Sequence, residues 1–179
     1  KGKLYGAHYP DTGEDNYYSN SRKQLVKKLA SDPVFSEVEL TNFVPRQESE
    51  LAPAGTADLV LTFRNLHNWR DAGVEQAFKD AYKALKNGGV LGVVEHRLPE
   101  GVDSKKAMGY VSQSKTIEQA KAAGFTLAAS REINANAKDK AVYPKGVWTL
   151  PPVLRLGDTD KAKYMAIGES DRMTLKFVK

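Results

Sequence analysis

The stretch that decides the fold runs from Asp58 to Trp69, DLVLTFRNLHNW, and resumes from Ala77 to Glu95, AFKDAYKALKNGGVLGVVE. Asp58-Leu59-Val60-Leu61-Thr62-Phe63 is a near-continuous apolar run of strand length. Such a run predicts a strand covered on both faces, as in a parallel sheet. Arg64 to Trp69 interrupts it with turn chemistry. Val74, Ala77, Phe78, Ala81 and Leu85 then recur at helical spacing. Asn87-Gly88-Gly89 offers a helix stop, because glycine accepts positive φ. Val90 to Glu95 reads as a second buried strand. Strands alternating with helices predict a largely parallel sheet covered by helices.

The pattern extends outward in both directions. Leu4 to His8 reads as a strand. Ser19 or Ser21 reads as the cap of a helix that carries Leu25, Val26 and Leu29 and ends near Asp32-Pro33. Val38 to Phe43 alternates like a strand, and Pro45 to Gly55 is a polar loop. Downstream, Ser114 reads as the cap of a helix through Ala123, closed by Gly124, with a strand from Phe125 to Ile133. Residues 134–158 are the least regular, with Trp148 pinning the loop. A short helix over Lys161–Ile167 ends at Gly168, and Arg172 to Val178 alternates as a terminal strand. The reading is one α/β domain over residues 1–179, with an irregular insertion over 134–170 before the last strand.

Composition narrows the function classes. With 41% hydrophobic and 27% charged residues, the chain is neither disordered nor a membrane protein. No run approaches the roughly 18 apolar residues of a membrane span. A net charge of +5 permits an anionic partner without demanding one. Lys23, Lys27 and Lys28 stripe one helix, and no aromatic-interleaved basic patch accompanies them, so there is no strong nucleic-acid signal. The absence of cysteine rules out disulfides, thiolate nucleophiles and zinc–thiolate sites. The first residue is Lys1 rather than Met, so further residues are expected upstream.

Four stretches together resemble the class I S-adenosylmethionine-dependent methyltransferases: Asp58 to Trp69, Ala77 to Glu95, Ala123-Gly124-Phe125, and Asp171 to Lys179, DRMTLKFVK. Within that superfamily the chain looks most like bacterial methyltransferases of unassigned substrate. The resemblance implies a Rossmann-like, mostly parallel sheet flanked by helices, with an antiparallel last strand. It implies S-adenosylmethionine as cofactor and an unknown, small methyl acceptor. It also implies an export signal ahead of the domain, hence a periplasmic or exported protein, with the cytoplasm as the alternative. One departure matters. The family wraps the methionine part of the cofactor in a glycine-rich loop after its first strand, and close backbone approach needs glycine there. Here Gly6 stands alone and Gly88-Gly89 follows a helix. By segment order, Leu4–His8 matches the family's second strand, so the fold lacks the family's first strand and helix. Each buried backbone group left unpaired costs roughly 1–3 kcal/mol. An upstream segment, closure of the gap, or a second copy forming a homodimer through the opened sheet would answer that cost.

In parallel sheets, ligands bind outside the carboxyl ends of the strands. The resemblance therefore implies ribose or adenine contacts at His8, Tyr9 and Asp11, although Pro10-Asp11-Thr12-Gly13 also reads as an ordinary turn. It implies adenine contacts at Asn42 and Phe43, with a core role as the plain reading of Phe43. It places Phe63, Arg64 and Asn65 at the cofactor's reactive end. Arg64 to Trp69 is the richest cluster, and His67 and Asn65 are the candidate catalytic residues in it. An imidazole exchanges protons near neutral pH, so His67 reads as a general base or as a group that orients a substrate nucleophile. The plain reading of the cluster is capping and packing, with Trp69 as a core lid. Glu95, His96 and Arg97 end the next strand and read either as a polar-substrate site or as an ion-paired strand terminus. Glu95 and His96 complete the catalytic set. Arg131, Glu132, Asn134 and Asn136 read as a solvated strand end, with a place along the substrate side as the alternative. His8, His67 and His96 lack an i, i+4 spacing, so no metal site is expected. Two functions stand: a methyltransferase whose catalysis is mostly positioning, weak in this chain alone, and a non-catalytic binding or structural domain.

Overall fold

A computed structural model describes residues 2–179, and the Asp58–Glu95 stretch forms the expected strand–helix–strand unit. Chain order is β1 (Leu4–His8), α1 (Tyr17–Ala30), β2 (Val38–Asn42), β3 (Ala57–Phe63), α2 (Leu66–Ala84), β4 (Leu85–His96), α3 (Gln113–Ala122), β5 (Thr126–Arg131), α4 (Lys161–Ile167) and β6 (Arg172–Val178). β3, β4, β6 and β5 form one sheet in that spatial order. β3 pairs parallel with β4, and β6 runs against both β4 and β5. The fold is α/β, as the alternating pattern predicts, with the antiparallel last strand that the resemblance implies.

β1 and β2 pair in parallel with each other in a separate two-stranded sheet. Among the described residues no ladder joins β1 to β3. A slot of about 620 Å³ lies between them, walled by Tyr5 and Ala7 on one side and Leu59 and Leu61 on the other, above Leu51 and Phe78. The seam falls where segment order places an interruption. The small sheet is tied to the body by Thr41 Oγ1 donating to Leu51 O at 3.0 Å and by Phe43 meeting Trp69 edge-on at 4.9 Å. Arg22 Nη1 donates to Thr41 O at 3.0 Å and fastens α1 to β2.

Alternation decides which face of the larger sheet is covered. Leu91 and Val93 on β4 and Met173, Leu175 and Phe177 on β6 share one face and pack under α2 and α3 with Val74, Phe78, Ala81 and Ala120. That layer is the main core. The opposite face is open: Leu59, Leu61 and Phe63 are 52%, 53% and 54% exposed. They stand beside Val90, Gly92 and Val94. Gly92 makes room for Leu61, since a Cβ there would lie 2.6 Å from Leu61 Cδ2. The apolar run of β3 predicted cover on both faces; here only one is covered, and the other borders the slot.

Several boundaries differ from expectation. Asn16, not Ser19 or Ser21, caps α1, its Oδ1 accepting from Ser19 N at 2.9 Å. The buried Ser19 hydroxyl is instead used by Thr12 N–H. Ser112, not Ser114, caps α3. α2 begins at Leu66, inside the expected loop, and breaks at Arg70, where φ is 58°. It closes at Ala84, with Leu85 N–H bonded to Ala81 O, so β4 starts before the glycine pair. Gly88, at φ 78°, makes an irregularity in the strand edge rather than a helix stop.

Phe177→Ala should cost about 3–5 kcal/mol in urea unfolding, as a large cavity in the core does. Leu59→Ala on the open face should cost under about 1 kcal/mol. A large loss at Leu59 would mean that face is covered in solution.

Candidate functional site

The carboxyl ends of β1, β2, β3 and β4 open onto a second cavity of about 650 Å³. It adjoins the slot, and Ala7, Phe43, Asn65 and Trp69 line both. Its roof comes from the segment between β5 and β6, through Val147, Trp148 and Arg155.

Glu95, near the end of β4, organises the site. Its side chain is 0% exposed. Oε1 accepts from His67 Nδ1 at 3.0 Å and from His96 N–H at 2.7 Å, and Oε2 accepts from His67 N–H at 3.2 Å. The carboxylate thereby binds the first turn of α2 to the end of β4. His67 Nδ1 carries the proton in this arrangement, which leaves Nε2 as the free lone pair. His67 lines the cavity and Glu95 does not. Glu95 is therefore a positioning residue rather than one that touches substrate.

His96 is buried beside His67, ring centroids 5.3 Å apart, and its Nδ1 shares a 2.6 Å hydrogen bond with Ser170 Oγ. Burial holds its pKa down at about 4, with Glu95 opposing and His67, Arg64 and Arg172 adding to the depression. It is a neutral imidazole at physiological pH. Trp148 meets His67 edge-on with centroids 5.7 Å apart. Arg64 (φ 56°) and Arg70 (φ 58°) are left-handed without being glycine. Each such residue costs of order 1–3 kcal/mol, and here they bracket the turn that carries His67.

One donor atom from each of His67, Glu95 and His96 lies within 4.8 Å of the others, a grouping the sequence spacing did not suggest. These are the residues that could hold a metal ion. The Glu95 oxygens already accept three N–H bonds, and Arg64 and Arg172 line the same cavity. A cation would have to displace those bonds beside two guanidiniums, so the donor set favours an imidazole–carboxylate pair over a metal centre.

The cofactor candidates separate. His8, Tyr9, Phe43, Phe63, Arg64 and Asn65 line the cavity. Tyr9 stacks on Tyr18 at 4.2 Å and meets Phe43 edge-on at 6.1 Å, and burial raises its pKa. His8 Nε2 lies 3.2 Å from Ser21 Oγ. Asp11 and Asn42 are not among the lining residues. Asp11 Oδ1 accepts from Gly13 N at 2.9 Å, the turn role that its local sequence allowed. Asn42 is the last residue of β2, paired with His8, and the chain turns inward only at Phe43.

Arg97 takes the ion-paired role. It forms bidentate bonds with Asp171 (2.8 and 2.9 Å) and with Glu132 (2.9 and 2.6 Å), and both carboxylates raise its pKa. Asn134 donates to Thr174, and Asn136 donates to Ile167 O and Glu169 O, so these amides fasten the roof segment rather than meet solvent. Arg131 bonds only to its neighbour's carbonyl. Sequence reasoning missed Asp139, which is buried and accepts from Tyr110 and Tyr143 hydroxyls and from Ala141 and Asp171 N–H. Burial and this carboxylate push Tyr143 up to about 12 and Tyr110 well above its ordinary value. It missed Arg155, Ser170 and Arg172 as well. Their one signal is the polar cluster Glu169-Ser170-Asp171-Arg172 opening the last strand.

No family model matches the chain, and no curated protein matches it. Solved structures do. A SAM-dependent methyltransferase from Methanosarcina mazei superposes with a TM-score of 0.63 at 10% identity, over 99% of this chain and 82% of its own. The cyclase SpnF gives 0.58 at 13% identity, over 99% of this chain and 66% of its own. A protein described as a possible exported protein from Bordetella parapertussis gives 0.55 at 15% identity, over 99% and 53%. The chain spans about two thirds of the cyclase's length and about half of the Bordetella protein's. Among the described residues no helix is long and apolar enough to cross a membrane. At these identities the likeness is one of fold, and the chain has the fold of the class I S-adenosylmethionine-dependent methyltransferases.

Proposed function

We propose that the chain forms the acceptor side of an S-adenosylmethionine-dependent methyl transfer to a small hydroxyl-bearing molecule, with His67 as general base. The single observation that carries this is the 3.0 Å bond from His67 Nδ1 to the buried Glu95 carboxylate. It fixes the tautomer and aims Nε2 as a base, the same logic that makes a carboxylate–imidazole pair effective elsewhere. His96, kept neutral beside it, adds no competing positive charge. Asn65 lines the cavity and is free to orient the acceptor, since its side chain makes no capping bond to α2.

The residues present fit a nucleoside at one end. Tyr9, Tyr18 and Phe43 form an aromatic shelf, with His8 and Ser21 beside it. At the amino-acid end no glycine-rich turn lines the cavity among the described residues. There the slot opens instead. A strand from polypeptide beyond this chain, seated between β1 and β3 and followed by such a turn, would complete the cradle. S-adenosylmethionine, held at its nucleoside end by Tyr9, Tyr18 and Phe43, would supply an electrophilic methyl to an acceptor oxygen, with the electron pair of the C–S bond left on sulfur. The acceptor's O–H proton passes to His67 Nε2. The neighbour of possible export leaves the periplasm as the proposed location.

The open slot favours one second reading, a non-catalytic domain that pairs with a second copy through the unpaired edges. Sedimentation separates the two. A dimer whose mass persists when the chain is extended upstream supports that reading; a monomer that gains cofactor affinity on extension supports methyl transfer.

Calorimetry with S-adenosylhomocysteine should show weak or no binding to this chain and clear binding to the extended one. Equal affinity would refute the role given to the slot. In the extended protein, His67→Ala should lower kcat by about 10²–10⁴, the range for a general base, and Glu95→Gln should fall in between while leaving KM nearly unchanged.

His96 sets a pH dependence. Its folded pKa lies below its unfolded value, so the unfolded chain binds the extra proton as pH falls. Its contribution is whole above about pH 6.5 and is lost towards pH 4, by up to about 3 kcal/mol. Urea unfolding at pH 7 and at pH 4.5 should show this loss, and His96→Gln should flatten it.

A further inference from the structure

Arg172 opens β6 on the inner wall of the cavity, its backbone paired with His96. Its Nη1 donates to Glu169 Oε2 at 2.6 Å. Its Nε is buried and has no partner among the described residues. A buried donor without an acceptor costs about 1–3 kcal/mol and more on a charged group, so an acceptor brought to this position would stabilise it. On the roof segment the Arg155 guanidinium lies 4.9 Å from the Trp148 ring centroid, and Trp148 meets His67 at 5.7 Å. Arg64 is a third cation on the wall. Glu169 is the one carboxylate among the described lining residues, and it is engaged by Arg172. The cavity therefore holds three guanidiniums against one carboxylate, beside an aromatic plane.

We propose, resting on the methyl-transfer reading, that the acceptor is a small aromatic hydroxy acid. Its carboxylate meets Arg172 and Arg155, its ring lies along Trp148, and its hydroxyl reaches His67. Arg172 and His67 approach one another through the adjoining His96 ring, and Arg155 and His67 through the single Trp148 ring. An acceptor whose charge and hydroxyl are separated by about one ring fits this arrangement. A guanidinium binds a planar carboxylate through two parallel N–H bonds, and the unpartnered Nε edge of Arg172 presents one of them. The acceptor oxygen gains the methyl, its proton goes to His67, and the carboxylate is unchanged.

The test is binding, which needs no turnover. 4-Hydroxybenzoate, its methyl ester and inorganic phosphate are titrated into the chain by calorimetry, with ring NMR signals of His96 and Trp148 as the local report. 4-Hydroxybenzoate should bind at least roughly tenfold more tightly than the ester, as a charged hydrogen bond predicts. Arg172→Gln and the exposed Arg155→Gln should each remove most of that difference. Arg155→Gln leaves the Arg172–Glu169 pair intact, so a folding failure of the first variant does not end the test. Equal binding of acid and ester overturns the proposal, as does phosphate binding as tightly as the acid. Loss of S-adenosylhomocysteine affinity in either variant of the extended chain, with 4-hydroxybenzoate affinity kept, also overturns it, because the arginines would then hold the cofactor's own carboxylate. Arginine-dependent binding of the acid without any methylated product upholds the acid site and refutes methyl transfer instead.

Discussion

Glu95 holds a carboxylate with no exposure to solvent, and the geometry of the site depends on how that charge is satisfied. Burying a charge is tolerated only where hydrogen bonds replace the lost water. Here the replacements are two backbone N–H groups and one imidazole, drawn from His67 and His96. The same three bonds fix the start of α2, the end of β4 and the tautomer of His67. A site on two separate elements is thus held by one group that never reaches the cavity. The left-handed residues Arg64 and Arg70 follow from it, because the chain must leave β3, reach the carboxylate and rejoin a regular helix within a few residues. Strain of this kind persists only where surrounding bonds over-determine the conformation, and Glu95 supplies them.

A second carboxylate performs the same task for the roof. Asp139 gathers two tyrosine hydroxyls and two backbone N–H groups, and Asp171 next to the last strand is gripped by Arg97. The long segment between β5 and β6 carries little regular structure, yet it is held at both ends by charge-assisted bonds. That matters for the cavity, since this segment brings Trp148 against His67 and Arg155 over Trp148. These buried polar bonds share the work with a small apolar cluster of Ala107, Tyr110, Ala141 and Val147, separate from the main core under α2 and α3.

How much of this the sequence displayed depends on the range of the interaction. β1 and β6 were legible to the residue, because period-two alternation is a local property. The core face of α2 was legible for the same reason. The start of α2 was not, because Arg64 to Trp69 has turn composition and becomes helical through a bond to Glu95, far along the chain. The caps of α1 and α3 were misplaced by two to five residues, since nearby serines and asparagines compete for the role and tertiary contacts choose. The strand-end rule found His67, His96, Asn65, Phe43 and Phe63. It also offered Asp11 and Arg97, whose partners lie in a local turn and in an ion-pair network. Arg172 escaped it altogether, because β6 is antiparallel and brings its amino end, not its carboxyl end, to the cavity.

The two cavities share a further property. Among the described residues only two buried side-chain polar atoms lack a partner, Thr62 Oγ1 and Arg172 Nε. Thr62 lines the slot and Arg172 lines the cavity beneath the roof. Everywhere else the fold satisfies its buried polar groups, even at the cost of left-handed arginines and a charge in the core. Unsatisfied donors and acceptors are costly enough that their placement is informative. The hydroxyl of Thr62 sits on a strand whose free edge faces the separate β1–β2 sheet, a position suited to a backbone group of an added strand. The guanidinium edge of Arg172 sits beside a neutral His96 and a carboxylate already engaged, a position suited to an anion. Phe43, Asn65 and Trp69 line both spaces, so a strand entering the first would form a wall of the second. A filled slot would then also shape the cavity, and ligand affinity at the cavity would be coupled to occupancy of the seam.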